Sequence, residues 1–167
     1  MSAEMDGENS NSGETRSGTW PDLAGRIVQH DGERVHHLPV RVYFEDTDFS
    51  GLVYHGSYVR FCERGRSDFL RLLGNDHAGL LSGQDGREPA AFVVRRLTLD
   101  YLRPAQIDDV LEVRTRLKSM TAAALLLDQR VFRGEHELCR AEVMVVLVSR
   151  SGKVMRLSKA LRSAFSP

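Results

Sequence analysis

The stretch VYFEDTDFSGLVYHGSYVRFCERGR, residues 42–66, runs from an alternating pattern through a polar loop into a helical pattern. Val40, Val42 and Phe44 alternate with Arg41, Tyr43 and Glu45, which predicts a half-buried strand over 40–46 ending near Asp46. In residues 47–57, Asp48, Ser50, Gly51 and Gly56 predict a loop with tight backbone turns. From residue 57 to about 73, Tyr58, Cys62, Gly65, Phe69 and Leu72/Leu73 recur every four or three residues, the spacing of one apolar helix face. Ser57 is the predicted N-cap and Gly74 the predicted stop. Gly65 within that stripe costs about 1 kcal/mol of helix propensity against Ala. A helix that accepts this cost is expected to lay its backbone against something flat, such as a sheet face.

Downstream, residues 74–89 carry the Gly, Asn, Asp and Pro of a long connection, with a short helical turn expected over 77–81. After it the pattern turns to β. Residues 92–103 alternate until Pro104, residues 111–118 alternate again, and 123–132 and 138–149 follow, joined by the turn-like RGEHE. Ser151-Gly152 predicts a turn into a short last strand over 153–157. The short links imply antiparallel pairing, because a parallel crossover needs a dozen or more residues. One helix and one antiparallel sheet make an α+β domain. Val143, Val145 and Leu147 alternate with Met144, Val146 and Val148, so that strand is apolar on both sides and both faces are expected to be covered; one helix cannot cover everything, which implies a second subunit.

Upstream the pattern fades. Residues 20–38 scatter Trp20, Ile27, Val28 and Val35 among polar neighbours, leaving open whether they dock on the core. Residues 1–38 are therefore read as an N-terminal extension and 39–167 as the folded domain. The first 19 residues have only Met1, Ala3 and Met5 as apolar side chains, too few to offset ordering entropy, which predicts disorder.

Composition narrows the function classes. Lys+Arg and Asp+Glu balance at 23 each, against a chain devoted to nucleic acid or anionic lipid. No apolar run approaches the roughly 18 residues that span a bilayer, and no secretory signal opens the chain, which predicts a cytoplasmic protein. Cys62 and Cys139 lie within regular segments and read as small buried hydrophobes. The six histidines form no HExxH and no Cys/His pairing at zinc spacing, so no metal is expected. Phosphate-loop, GxGxxG and GxSxG motifs are also missing.

The chemistry concentrates at 45–57. Glu45, Asp46, Asp48, His55 and the hydroxyls of Thr47, Ser50 and Ser57 sit between a strand and a helix N-terminus, where backbone N–H groups are free for ligands. Four readings are open from spacing. Asp48 acts as base or nucleophile while N–H groups near residues 54–57 polarise a carbonyl. Ser50, His55 and an acid form a triad, without the usual elbow. Asp48 and His55 add water across a double bond. Or the acids and hydroxyls merely make Asx-type turns and cap the helix.

Residues 42–66 resemble the signature of the 4-hydroxybenzoyl-CoA thioesterase family of hotdog-fold acyl-CoA thioesterases, most closely its Tol-Pal-associated bacterial subgroup. The matching features are Glu45-Asp46-Thr47-Asp48, Gly51, Val53-Tyr54-His55 and Glu63-Arg64-Gly65-Arg66. FVVRRLTLDYLRPAQIDDVLEV, residues 92–113, resembles the family's strand pair with its Tyr-x-x-Pro-Ala connection, and AEVMVVLV its later strand. The resemblance covers about residues 40–165 and implies a hotdog fold, an antiparallel sheet wrapped around one long central helix, assembled as a homodimer or homotetramer. It implies hydrolysis of acyl-CoA to a carboxylic acid and free coenzyme A, with Asp48 the catalytic carboxylate and His55 assisting the carbonyl. Coenzyme A is part of the substrate and no separate cofactor is implied. Tyr54, Gly56 and Tyr58 around the helix start are candidates for contacting substrate. Among the basic residues Arg95, Arg96, Arg114, Arg116 and Lys118, Lys118 with Ser119 is the candidate pair for the nucleotide phosphates. Glu63 either faces the site or pairs with Arg60 or Arg66. One departure stands out: relatives often carry Tyr four residues before the catalytic Asp, where this chain has Phe44. The alternative is a non-catalytic hotdog module that binds acyl-CoA or acyl carrier protein. A hydratase ranks third, because its Asp-to-His spacing is typically shorter.

Overall fold

The alternating runs after residue 90 form four long strands, and the helical stripe lies across them. The computed structural model describes residues 23–75, 77–83 and 88–166. In chain order the elements are β1 (Arg26–His30), β2 (Glu33–Arg41), α1 (His55–Leu72), α2 (His77–Ser82), β3 (Ala90–Tyr101), β4 (Val110–Met120), β5 (Ala124–Arg133), β6 (His136–Ser149) and α3 (Lys159–Phe165). All strand pairs are antiparallel, in the order β1-β2-β4-β5-β6-β3. This is the expected α+β hotdog architecture, one sheet around one long helix. No helix among the described residues is long and apolar enough to cross a membrane.

Alternation decides which side of each strand meets α1. Leu111, Val113 and Thr115 of β4, with Leu125, Leu127, Gln129 and Val131 of β5, are buried, while Glu112, Arg114, Arg116, Asp128 and Arg130 between them form ion pairs on the other side. From α1, Tyr58, Phe61, Cys62, Gly65, Phe69 and Leu70 are buried. The backbone contact foreseen from Gly65 is present. A Cβ there would sit 2.9 Å from Val113 Cγ1 and 3.1 Å from Thr115 Oγ1. The polar groups at this crossing are satisfied: Gln129 Nε2 donates to the Cys62 carbonyl (2.9 Å) and to Thr115 Oγ1 (2.8 Å), and Arg66 Nη1 donates to Gln129 Oε1 (2.9 Å). Unpartnered amides would be costly at that depth.

Several expectations are corrected. The strand expected over 40–46 is instead Glu33–Arg41, and Phe44–Asp46 is a 3-10 turn. Sheet-like pairing continues as far as Val42, whose N–H donates to the Asp109 carbonyl, but the Asp46 carboxylate then captures the Tyr43 N–H and bends the chain. Phe44 is consequently 82% exposed. The helix starts at His55 with Tyr54 as its N-cap, not at Ser57, whose buried hydroxyl donates to the Asp46 carbonyl. Residues 26–38, placed in an extension by their weak pattern, form β1 and most of β2 and extend the sheet. Their turn is Asp31-Gly32, both at positive φ (49° and 81°), the two-residue hairpin geometry that suits right-twisted strands. The tail read as disordered, residues 1–19, and Trp20 lie outside the described residues. The short final strand is reduced to a Val148–Val154 bridge, and the chain then forms α3, capped by the Ser158 hydroxyl and anchored by Leu161 and Phe165.

Candidate active site

The loop between β2 and α1 is fixed by hydrogen bonds from a few residues. Asp46, 1% exposed, accepts from Tyr43 N through Oδ2 (3.0 Å), while its carbonyl accepts from Tyr54 N (2.9 Å) and the Ser57 hydroxyl (2.9 Å). That single residue ties the 3-10 turn to the helix start. Asp48 N donates to the Leu52 carbonyl and Gly51 N to the Asp48 carbonyl, both at 3.0 Å, closing a tight turn that Gly51 permits by its φ of +79°. Val53 N donates to the Ala105 carbonyl (2.8 Å), docking the loop on the connection after β3.

Asp48 is thereby presented at the edge of an open cleft of about 370 Å³, lined also by Ser50, His55, Tyr58, Tyr101 and Arg103. Its Oδ1 accepts from the Ser50 hydroxyl (2.5 Å) and the Ser50 backbone N–H (2.8 Å). These bonds, chiefly the hydroxyl one, with the nearby His55, hold its carboxyl below the ordinary carboxylate value. A larger cavity, about 450 Å³, lies at the other end of α1 against Leu73, Leu80, Met155 and Leu161. Of the two, the smaller cleft joins a carboxylate to a helix N-terminus.

That N-terminus is open. Tyr54 provides no side-chain cap, and the N–H groups of His55 and Gly56 have no hydrogen-bond partner among the described residues. Such orphan donors, at the positive end of the helix dipole, favour a developing negative charge. The Tyr54 ring lies on the His55 ring, centroids 4.2 Å apart, and a Cβ at position 56 would fall 2.7 Å from that tyrosine ring, so glycine lets it fold over. Tyr101 Oη donates to the His55 carbonyl (3.0 Å), and Tyr58 Oη accepts from Ala105 N (3.0 Å). Burial pushes both phenols above their ordinary value, so both stay neutral near pH 7.

Among the residues singled out from sequence, Asp48, His55 and Tyr58 come together in the cleft, with Tyr54 and Gly56 shaping its helix side. Lys118 and Ser119 do not line it; Lys118 pairs with Glu142 beside a bulge in β4. Arg96, Arg114 and Arg116 are likewise held by acids. Glu63 accepts from Ser67 rather than pairing with Arg60, which donates to Ser57. Phe44 does not line the cleft. Tyr101 and Arg103 were not singled out for the site, although the Tyr-x-x-Pro-Ala match around them is the signal that finds them.

A family model described as the Thioesterase-like superfamily matches residues 42–165. The chain is 46% identical over 111 residues to the acyl-CoA thioester hydrolase YbgC of Escherichia coli O6:H1, covering 66% of this chain and 79% of that protein. It is 40% identical over 129 residues to the acyl-CoA thioesterase YbgC of Haemophilus influenzae, covering 77% and 92%. Among solved structures, a probable thioesterase from Bartonella henselae superposes with a TM-score of 0.72 at 44% identity, covering 74% of this chain and 99% of that one.

Proposed function

Because the chain belongs to the thioesterase-like superfamily and is a thioester hydrolase, we propose that its substrates are acyl-CoA thioesters, released as a carboxylic acid and free coenzyme A. The observation that carries the proposal is one cleft holding both an ionised Asp48 carboxylate and the uncapped start of α1.

In this reading the thioester carbonyl oxygen lies against the N–H groups of His55 and Gly56, which stabilise the charge that develops on it. Asp48 takes a proton from water as the water oxygen bonds the carbonyl carbon. Collapse of the tetrahedral intermediate breaks the carbon–sulfur bond and expels the coenzyme A thiolate, which then takes up a proton. Asp48 acting as nucleophile gives the same products through a mixed anhydride that water opens. A thioester carbon is electrophilic and a thiolate leaves readily, so neither a serine triad nor a metal is needed. Tyr101 and Tyr58 position the helix start through the His55 carbonyl and the Ala105 N–H.

We also infer that the active form is an oligomer of this chain. β3 is an edge strand of 12 residues, and its Val93 and Val94 are 41% and 48% exposed. An unpaired edge of that length, with exposed apolar side chains at Val93 and Val94, invites pairing with another strand.

The test is free-thiol release from short, long and aromatic acyl-CoA, comparing wild type with Asp48→Asn. Hydrolysis lost by several orders of magnitude in a folded variant supports the reading. Near-normal hydrolysis moves the chemistry elsewhere, and acyl-CoA binding without hydrolysis in wild type identifies a non-catalytic module.

A further inference from the structure

We propose that Ser50 is a positioning residue for the reaction, clamping one oxygen of Asp48 so that the other is presented to the reacting atoms. The inference rests on the reading of Asp48 as the catalytic carboxylate and names the group that aims it.

The clamp has two parts with separable chemistry. The Ser50 backbone N–H donates to Asp48 Oδ1 at 2.8 Å, the ordinary Asx-turn contact that an Asp makes two residues on. The Ser50 hydroxyl donates to the same oxygen at 2.5 Å, which a turn alone does not require. Both donors engage Oδ1, and Oδ2 has no hydrogen-bond partner among the described residues. The carboxylate is therefore asymmetric: one oxygen is held and the other is available to take a proton from water or to attack carbon. Ser50 is itself held by the tight turn that Gly51 closes onto the Asp48 carbonyl, and its hydroxyl faces the Leu52 N–H at 3.4 Å. Fixing the carboxylate before substrate arrives spares the reaction the cost of orienting it.

The other groups around the cleft do not duplicate this role. His55 at the start of α1 lines the same cleft but makes no hydrogen bond to Asp48, Arg103 follows β3, and the hydroxyls of Tyr58 and Tyr101 are committed to the Ala105 N–H and the His55 carbonyl. Two donors also favour the ionised form, so the clamp keeps Asp48 charged to lower pH while making it a weaker base. The Ser50 hydroxyl thus balances aim and charge against basicity.

Ser50→Ala isolates the effect, since it keeps the backbone N–H and removes only the hydroxyl. Two measurements are needed: pH profiles of kcat and kcat/KM with an acyl-CoA substrate, and a carbon-13 NMR titration of the Asp48 carboxyl, which does not depend on turnover. The expected result is a kcat lowered roughly ten- to a hundredfold with KM changed by less than about threefold. The acid limb and the NMR midpoint should both move to higher pH, and Ser50→Thr should restore them. A midpoint unmoved in Ser50→Ala overturns the proposal. So does a rate loss without movement of the acid limb, because that is the signature of a disturbed turn. Full activity in Asp48→Asn defeats the underlying reading of Asp48 instead, while the NMR titration still decides whether Ser50 holds that carboxylate.

Discussion

Replacing Gly65 with Ala tests whether helix propensity or packing rules the centre of the molecule. In an open helix the change stabilises by about 1 kcal/mol. Here the added methyl would sit 2.9 Å from Val113 Cγ1, 3.1 Å from Thr115 Oγ1 and 3.3 Å from Gln129 Nε2, and all three neighbours come from the buried face of the sheet. Val113 and Thr115 are 0% exposed and have nowhere to retreat. Overpacking of this kind costs about 1–3 kcal/mol. Displacing Gln129 strains its bonds to Thr115 and the Cys62 carbonyl, adding about 1 kcal/mol or more. Packing therefore wins, and Gly65→Ala should destabilise by about 1–3 kcal/mol, read as a lowered midpoint with unchanged slope in urea unfolding. The double variant with Val113→Ala removes the nearest contact, so its loss should be less than the sum of the two single losses. A single variant as stable as wild type, or more stable, refutes the close approach of α1 to the sheet.

Other expectations follow from the buried polar and sulfur groups. His36 is 0% exposed, with Nε2 2.8 Å from Asp68 Oδ2, while Nδ1 has no partner among the described residues and Arg71 and His37 lie nearby. Burial, outweighing the Asp68 contact, holds its imidazole below the ordinary value of 6.5, so the native state keeps it neutral. The unfolded chain then binds the proton first, and stability should fall as pH drops through about 6.5; a His36→Gln variant whose urea midpoint shows the same slope between pH 7 and 5 would exclude this origin. Burial pushes Cys62 up to about 11 and Cys139 up to about 12, so a thiol reagent at pH 8 should label neither in the native protein and both after unfolding. Rapid native labelling would mean that the core opens. Treatment with a metal chelator should leave thioester hydrolysis unchanged, and lost activity restored by a divalent cation would demand a different mechanism.

Local patterns in the sequence determined the order of the elements from α1 to β6, the antiparallel sheet they belong to and the helix face that meets it, because each rests on periodicities of two or about 3.6 residues. Gly65 even carried a tertiary contact, since its propensity cost is hard to explain without a close neighbour. The segment around Asp48 and His55 was legible through its run of acids, hydroxyls and glycines and through family resemblance. Tertiary structure alone decided where the first pattern broke. Alternation through Phe44 favoured a longer strand, but the buried Asp46 carboxylate bonds Tyr43 N and its carbonyl bonds Tyr54 N and Ser57, bending the chain and starting the helix early. The hairpin of β1 and β2 was hidden because β1 is mostly exposed, β2 mostly half-buried and polar residues are scattered through both, and its Asp31-Gly32 turn gained meaning only once β4 lay beside β2. Tyr101 joined the site for the same reason. It lies 46 residues from His55 along the chain, and no local period records that its hydroxyl reaches the His55 carbonyl.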